Sequence, residues 1–173
     1  FGAAFYTVGA STSGLEQPDV LSADHAVGLL GQLQSGPFLL AVGLVRPHVP
    51  LVAPASFYAP YVAANIALAQ SVPNDLADIP SQGVFWNEPV RGPFNDNARR
   101  MVRRAYYASV SFMDAQVGRI LARLDELELT DSTIVVFTSD HGYHLGEHTM
   151  WQKLSLHEES ASVPLIVAGP GIA

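Results

Sequence analysis

Asp140 and His141 stand side by side in Thr138-Ser139-Asp140-His141-Gly142, and Lys153 follows in Trp151-Gln152-Lys153. Asp140 offers a hard anionic oxygen and His141 an imidazole nitrogen. Together they can supply part of a divalent cation's shell, and Lys153 can neutralise an anionic substrate beside that cation. By residue type alone, a single Asp-His pair in a loop is more often a turn than a ligand pair. His144 and His148 have the spacing of a second metal pair on a helix, but Gly142 and Gly146 argue against a regular helix there. His48, in Pro47-His48-Val49-Pro50, reads by type alone as a loop histidine stiffened by its neighbours.

These side chains need elements to hold them. Residues 133–137 are a β-branched, apolar run of strand length, ending in small hydroxyl residues just before Asp140. Ligand sites of open α/β sheets lie beyond such carboxyl ends. Residues 38–45 read as a second strand, apolar enough to be buried on both faces, and His48 follows it. Ser22 is positioned to cap a helix to about Gln34, with Val27, Leu30 and Leu33 on one side and Asp24 and His25 solvated. Residues 46–97 carry eight prolines, which forbid long helices. Phe57, Tyr58, Tyr61, Phe85 and Trp86 make that segment a packed wrap. Asn95, Asp96 or Asn97 caps a helix to about Leu129, whose apolar stripe runs through Met101, Ala105, Ala108, Phe112, Ala115, Ile120, Leu124 and Leu127. Arg99, Arg100, Arg103 and Arg104 crowd its N-terminus. A solvated face is favoured there over an anion-facing one. Asp114, among apolar neighbours, reads as a structural carboxylate held by hydrogen bonds. Glu158 and Glu159 fall in a short helix and residues 164–168 in another strand. Helices between strands imply α/β layering in one domain.

Composition narrows the class. The chain has 173 residues, 49% hydrophobic and 14% charged, which excludes a disordered chain. A net charge of −7 argues against a general nucleic-acid binder. The longest apolar runs are too short to span a bilayer, and no membrane partner is expected. No cysteine is present, so no disulfide, zinc-thiolate site or thiol nucleophile is available.

The ordered pattern Ser139-Asp140-His141-Gly142, Leu145-Gly146-Glu147-His148, Trp151, Lys153 resembles the C-terminal metal and substrate motif of the sulfatase family, within the alkaline phosphatase superfamily. Arg46-Pro47-His48-Val49-Pro50 resembles its histidine loop. Residues 107–119 resemble its long helix, and Val163-Pro164-Leu165-Ile166 with Gly169-Pro170-Gly171 its next strand. The similarity spans about residues 20–173 and is closest to the iduronate-2-sulfatase-like branch. It implies an α/β fold: part of an alkaline-phosphatase-like sandwich, with a largely parallel or mixed sheet flanked by helices. It also implies hydrolysis of sulfate esters on a sugar or uronate, with a sulfated small molecule or glycan as partner. Asp140 and His141 match metal ligands, commonly of calcium; a histidine ligand is softer than calcium prefers, which leaves magnesium and manganese open. His48 and Lys153 match residues that contact the sulfate group. Family members are secreted, periplasmic or lysosomal.

The chain also departs from the pattern. Sulfatases use a formylglycine made from Cys in Cys-x-Pro-x-Arg. Neither that motif nor its serine form occurs here, and no adjacent Asp-Asp pair supplies the other metal carboxylates. Ser162 stands where the family often has Arg. The expectation is a piece of one catalytic domain, lacking the N-terminal nucleophile region and a C-terminal subdomain, with the missing N-terminal part as a possible partner. The rival readings are a phosphodiesterase or phosphonate monoester hydrolase of the same superfamily, and a non-catalytic remnant that binds anionic glycans. By itself the 173-residue chain is expected to hydrolyse no sulfate ester, because Asp140 and His141 alone hold a hard cation weakly. The purified chain with calcium or magnesium should leave an aryl sulfate chromophore intact. Turnover that disappears in Asp140→Ala would overturn this.

Overall fold

The computed structural model describes residues 8–10, 17–70, 72–80 and 95–172. Phe85 and Trp86 lie outside the described residues. In chain order the elements are β1 (Val8–Ala10), α1 (Pro18–Leu33), β2 (Val52–Pro54), α2 (Asp96–Glu126), β3 (Val135–Thr138), β4 (His144–Leu145), β5 (Trp151–Gln152), α3 (Glu158–Ala161) and β6 (Leu165–Ala168). The pairings are mixed: β1 runs parallel to β2, while β3–β6 and β4–β5 are antiparallel.

Helix α2 is the shelf on which α1, β2, the wrap and Trp151 are packed. Asn95 caps it, its Oδ1 accepting from the Ala98 N–H at 2.9 Å, as an N-cap Asn does. Its buried stripe is Val102, Ala105, Ala108, Ser109, Phe112, Gln116 and Leu124. Met101 is exposed, so the stripe runs one position off the expected one at its start. The small residues Ala105 and Ala108 let neighbours approach the helix closely. Val20 of α1 and Ala53 of β2 meet Ala108 and Phe112 in one cluster, with Phe57, Tyr58 and Tyr61 of the wrap against it. Phe57 sets its ring edge-on to Phe112, centroids 5.4 Å apart. A second cluster joins Leu51, Val102, Ala105 and Trp151. The proline-rich segment is therefore a packed wrap where it is described.

Several expectations change. Helix α1 starts at Pro18, not near Ser22, because proline suits the first helical position. Residues 38–45 are not a strand: among the described residues they pair with none, and Leu39 is 96% exposed. An extended segment apolar on both sides needs neighbours on both edges to become a sheet strand. Asp114 is exposed rather than held in the core. Of the four arginines, Arg103 and Arg104 are tethers rather than part of a solvated face. Arg104 donates to the Tyr58 carbonyl at 3.2 Å and lies over the Tyr58 ring. Arg103 donates to the Leu145 carbonyl at 3.0 Å and pairs with Glu147 at 3.3 Å.

One carboxylate was not singled out by sequence. Asp19, 1% exposed, accepts from the backbone N–H of Val45 at 2.7 Å and of Arg46 at 3.0 Å. Arg46 in turn donates to Gln17, to the His48 carbonyl and to the Pro50 carbonyl. Helix α1 thus holds the loop that carries His48. Asp19→Ala leaves both amides without an acceptor and should cost about 2–4 kcal/mol in urea unfolding. A loss well under 1 kcal/mol would show that water replaces the carboxylate.

Candidate functional site

The segment after β3 is built by close backbone approach. The Gly142 N–H donates to the Ser160 carbonyl of α3 at 2.9 Å. A Cβ on Gly142 would lie 2.2 Å from the Glu159 carbonyl oxygen and 2.7 Å from that of Ser162. Glycine is therefore required by space. This contact fixes the Asp140–Gly142 loop against α3. Beyond it, the chain folds back as the β4–β5 hairpin, turning at Gly146 with φ +112°. Glu147 closes the turn, accepting from the Leu145 N–H at 2.6 Å and from Arg103 of α2. Trp151 enters the core beside Leu51, and this anchors Lys153 two positions on.

Asp140 and His141 face each other. His141 donates its Nδ1–H to the Gly142 carbonyl at 2.7 Å, which leaves Nε2 free. That Nε2 lies 3.8 Å from Asp140 Oδ2. Asp140 Oδ1 accepts from the His141 N–H at 3.0 Å. The Asp140 side chain is 87% exposed. Slight burial raises its pKa. The His141 charge, the backbone N–H groups of Asp140 and His141, and Lys153 outweigh that and hold the carboxyl below its ordinary range. Lys153 therefore shares the local field of Asp140. An oxygen and an imidazole nitrogen facing at this separation fit two positions of a divalent cation's shell. Two donors are only part of the six or more that a hard cation takes.

His48 sits apart from this trio. Its Nδ1–H donates to the Val49 carbonyl at 2.7 Å and the side chain is exposed. Among the described residues, no hydrogen bond or ion pair joins it to Asp140, His141 or Lys153. The two loops are nonetheless neighbours through the core: Val49 and Leu51 after His48 pack in the cluster that holds Trp151 before Lys153.

His144 and His148 do not form a helical pair. His144 lies in β4 and His148 in a 3₁₀ turn over Glu147–Thr149, at φ +54°. His144 is fully buried, with Nε2 2.7 Å from Ser155 Oγ; burial lowers its pKa ahead of all neighbouring charges. His148 instead stacks on His157, centroids 4.3 Å apart, between Asp75 and Glu159. Sequence reading missed Asp75, His157 and Glu159 as a group. No spacing rule relates a wrap carboxylate to a histidine so far along the chain.

Comparison with known proteins identifies the family. The sulfatase family model matches residues 5–173. The chain belongs to the sulfatase family. It is 41% identical over 169 residues to iduronate 2-sulfatase of Homo sapiens, covering 89% of this chain and 31% of that protein. It is 37% identical over 141 residues to choline-sulfatase of Rhizobium meliloti (strain 1021), covering 79% of this chain and 27% of that protein. A phosphonate monoester hydrolase from Silicibacter pomeroyi superposes with a TM-score of 0.82 at 24% identity, over 92% of this chain and 34% of that one. That likeness carries the fold, an α/β architecture of the alkaline-phosphatase type. The chain spans about a third of the length of the sulfatases it matches.

The glycine contact generates a test on this sulfatase chain. Gly142→Ala should destabilise it by about 1–3 kcal/mol, since backbone must move to admit the methyl group. Unchanged stability by chemical denaturation would mean that the loop is not held against α3.

Proposed function

We propose that this chain forms part of a hydrolase that cleaves sulfate esters, with Asp140 and His141 as metal ligands and His48 and Lys153 as groups that meet the sulfate. The observation that carries the reading is the pair of free donors, Asp140 Oδ2 and His141 Nε2, facing at 3.8 Å in the field of Lys153. Membership of the sulfatase family and 41% identity to iduronate 2-sulfatase support a sulfated sugar or uronate as substrate, of the iduronate-2-sulfate type.

The chemistry of each residue follows from its setting. Asp140 and His141 would hold a divalent ion, calcium by resemblance, with magnesium and manganese as alternatives; bound there, it neutralises charge on the ester. The His141 Nδ1–H bond to Gly142 keeps Nε2 as the ligand atom, and such a partner fixes both tautomer and ring orientation. Lys153 brings an ammonium to the same field and stabilises charge that develops on sulfate oxygens. His48, its Nδ1–H committed to Val49, presents Nε2 outward; protonated there, it donates to a non-bridging or leaving oxygen. The nucleophile, a formylglycine in this family, would lie outside the present chain, which has no cysteine.

The test uses a full-length protein that carries this chain, assayed with paired aryl sulfate and aryl phosphonate esters. Lys153→Ala should lower sulfate-ester turnover by about a hundredfold or more. Equal turnover in variant and parent would remove Lys153 from the site. A strong preference for the phosphonate ester in the parent would overturn the sulfatase reading.

A further inference from the structure

A cluster of metal-binding side chains lies outside the proposed catalytic site. His148, His157 and Glu159 each direct a ligand atom into one space, the three atoms lying within 4.8 Å of one another. All three are partly buried. His148 comes from the turn after β4, and His157 and Glu159 from the start of α3. We propose that these residues bind a zinc-type divalent transition-metal ion, separate from the Asp140–His141 pair and sharing no ligand with it.

The hydrogen-bond pattern points to a ligand. His148 Nδ1 is 2.7 Å from Asp75 Oδ2. A carboxylate only accepts, so Nδ1–H donates to Asp75 and Nε2 is the ring atom turned toward the cluster. A carboxylate behind the imidazole of a metal ligand fixes the tautomer and raises the basicity of the ligand nitrogen. His148 Nε2 then faces Glu159 Oε2 at 3.4 Å. That oxygen is buried and, beyond this contact, has no hydrogen-bond partner among the described residues. Zinc holds nitrogen and oxygen ligands at roughly 2.0–2.2 Å in a tetrahedron, which sets neighbouring ligand atoms about 3.4 Å apart. The His148–Glu159 separation already has that value. The His157 ring stacks on His148, centroids 4.3 Å apart, which brings both imidazoles to the same space. Two imidazoles and one carboxylate suit zinc better than calcium, which takes oxygen. Water completes the fourth position.

The ion has a structural task. Asp75 belongs to the wrap, His148 to the turn after β4, and His157 and Glu159 to α3. Gly142 donates to Ser160 of the same helix. An ion here ties the wrap and the hairpin to the helix that backs the Asp140–His141 loop.

The experiment measures binding and does not depend on turnover, so it stands or falls separately from the sulfatase reading. The full chain is stripped with a chelator, then titrated with Zn²⁺ against a chromophoric competitor, and with Co²⁺ while the visible absorption is followed. The expected result is one equivalent of zinc and a cobalt spectrum of tetrahedral intensity. His157→Ala and Glu159→Gln should each weaken zinc binding about tenfold or more, and Asp75→Asn by about 10–100-fold. Asp140→Ala should leave it unchanged. Circular dichroism checks that each variant is folded, and His157→Gln replaces any that is not. No retained zinc, zinc affinity unaltered in both ligand variants, or zinc binding lost in Asp140→Ala would each overturn the proposal.

Discussion

A carboxylate taken out of water must find donors, and Asp19 is the case on which the described structure turns. It is almost wholly buried in the first turn of α1, and its two oxygens accept from consecutive backbone amides, Val45 and Arg46. Charge-assisted bonds of this kind are short and directional. They fix where the chain ends its extended run and starts the loop of His48. Arg46 extends the constraint by donating to two carbonyls of that same loop. Leu51, directly after the loop, is then delivered fully buried against α2.

The same logic governs the arginines of α2. Arg103 and Arg104 donate to the carbonyls of Leu145 in the β4–β5 hairpin and of Tyr58 in the wrap. The helix therefore holds the wrap and the β4–β5 hairpin by apolar packing at Ala105 and Ala108 and by guanidinium bonds along its flank. Among the described residues, the His148 cluster hangs from these attachments, while Asp140 follows the β3–β6 pair.

The two sites differ in their electrostatics. Asp140 is exposed and stays anionic readily, as the ligand proposed for a hard cation must. The His148 group is partly buried, and its buried Glu159 Oε2 meets His148 Nε2 at 3.4 Å without a hydrogen bond, a setting in which a bound cation contributes most. Gly142 lies between them. By admitting the Glu159 carbonyl where a side chain would stand, it keeps the first loop and the second cluster on one small helix.

Local signals in the sequence determined what local physics controls. The Asn95 cap and the long stripe of α2, the short helix at Glu158 and the strand at residues 165–168 follow from capping chemistry and apolar periodicity, and all were legible. The run from Ser139 to Lys153 carried the family and the candidate ligands by its residue types and order. Tertiary structure decided the rest. Residues 38–45 have a strand's composition but pair with nothing described, because a strand exists only with its neighbour. Asp19 looked like any acidic residue in a first helical turn until two amides from the far side of a loop converged on it. His148 looked like the partner of His144 by spacing. The chain's return placed His157, Glu159 and Asp75 around it instead, since a ligand set is a meeting of distant segments and no local pattern encodes that.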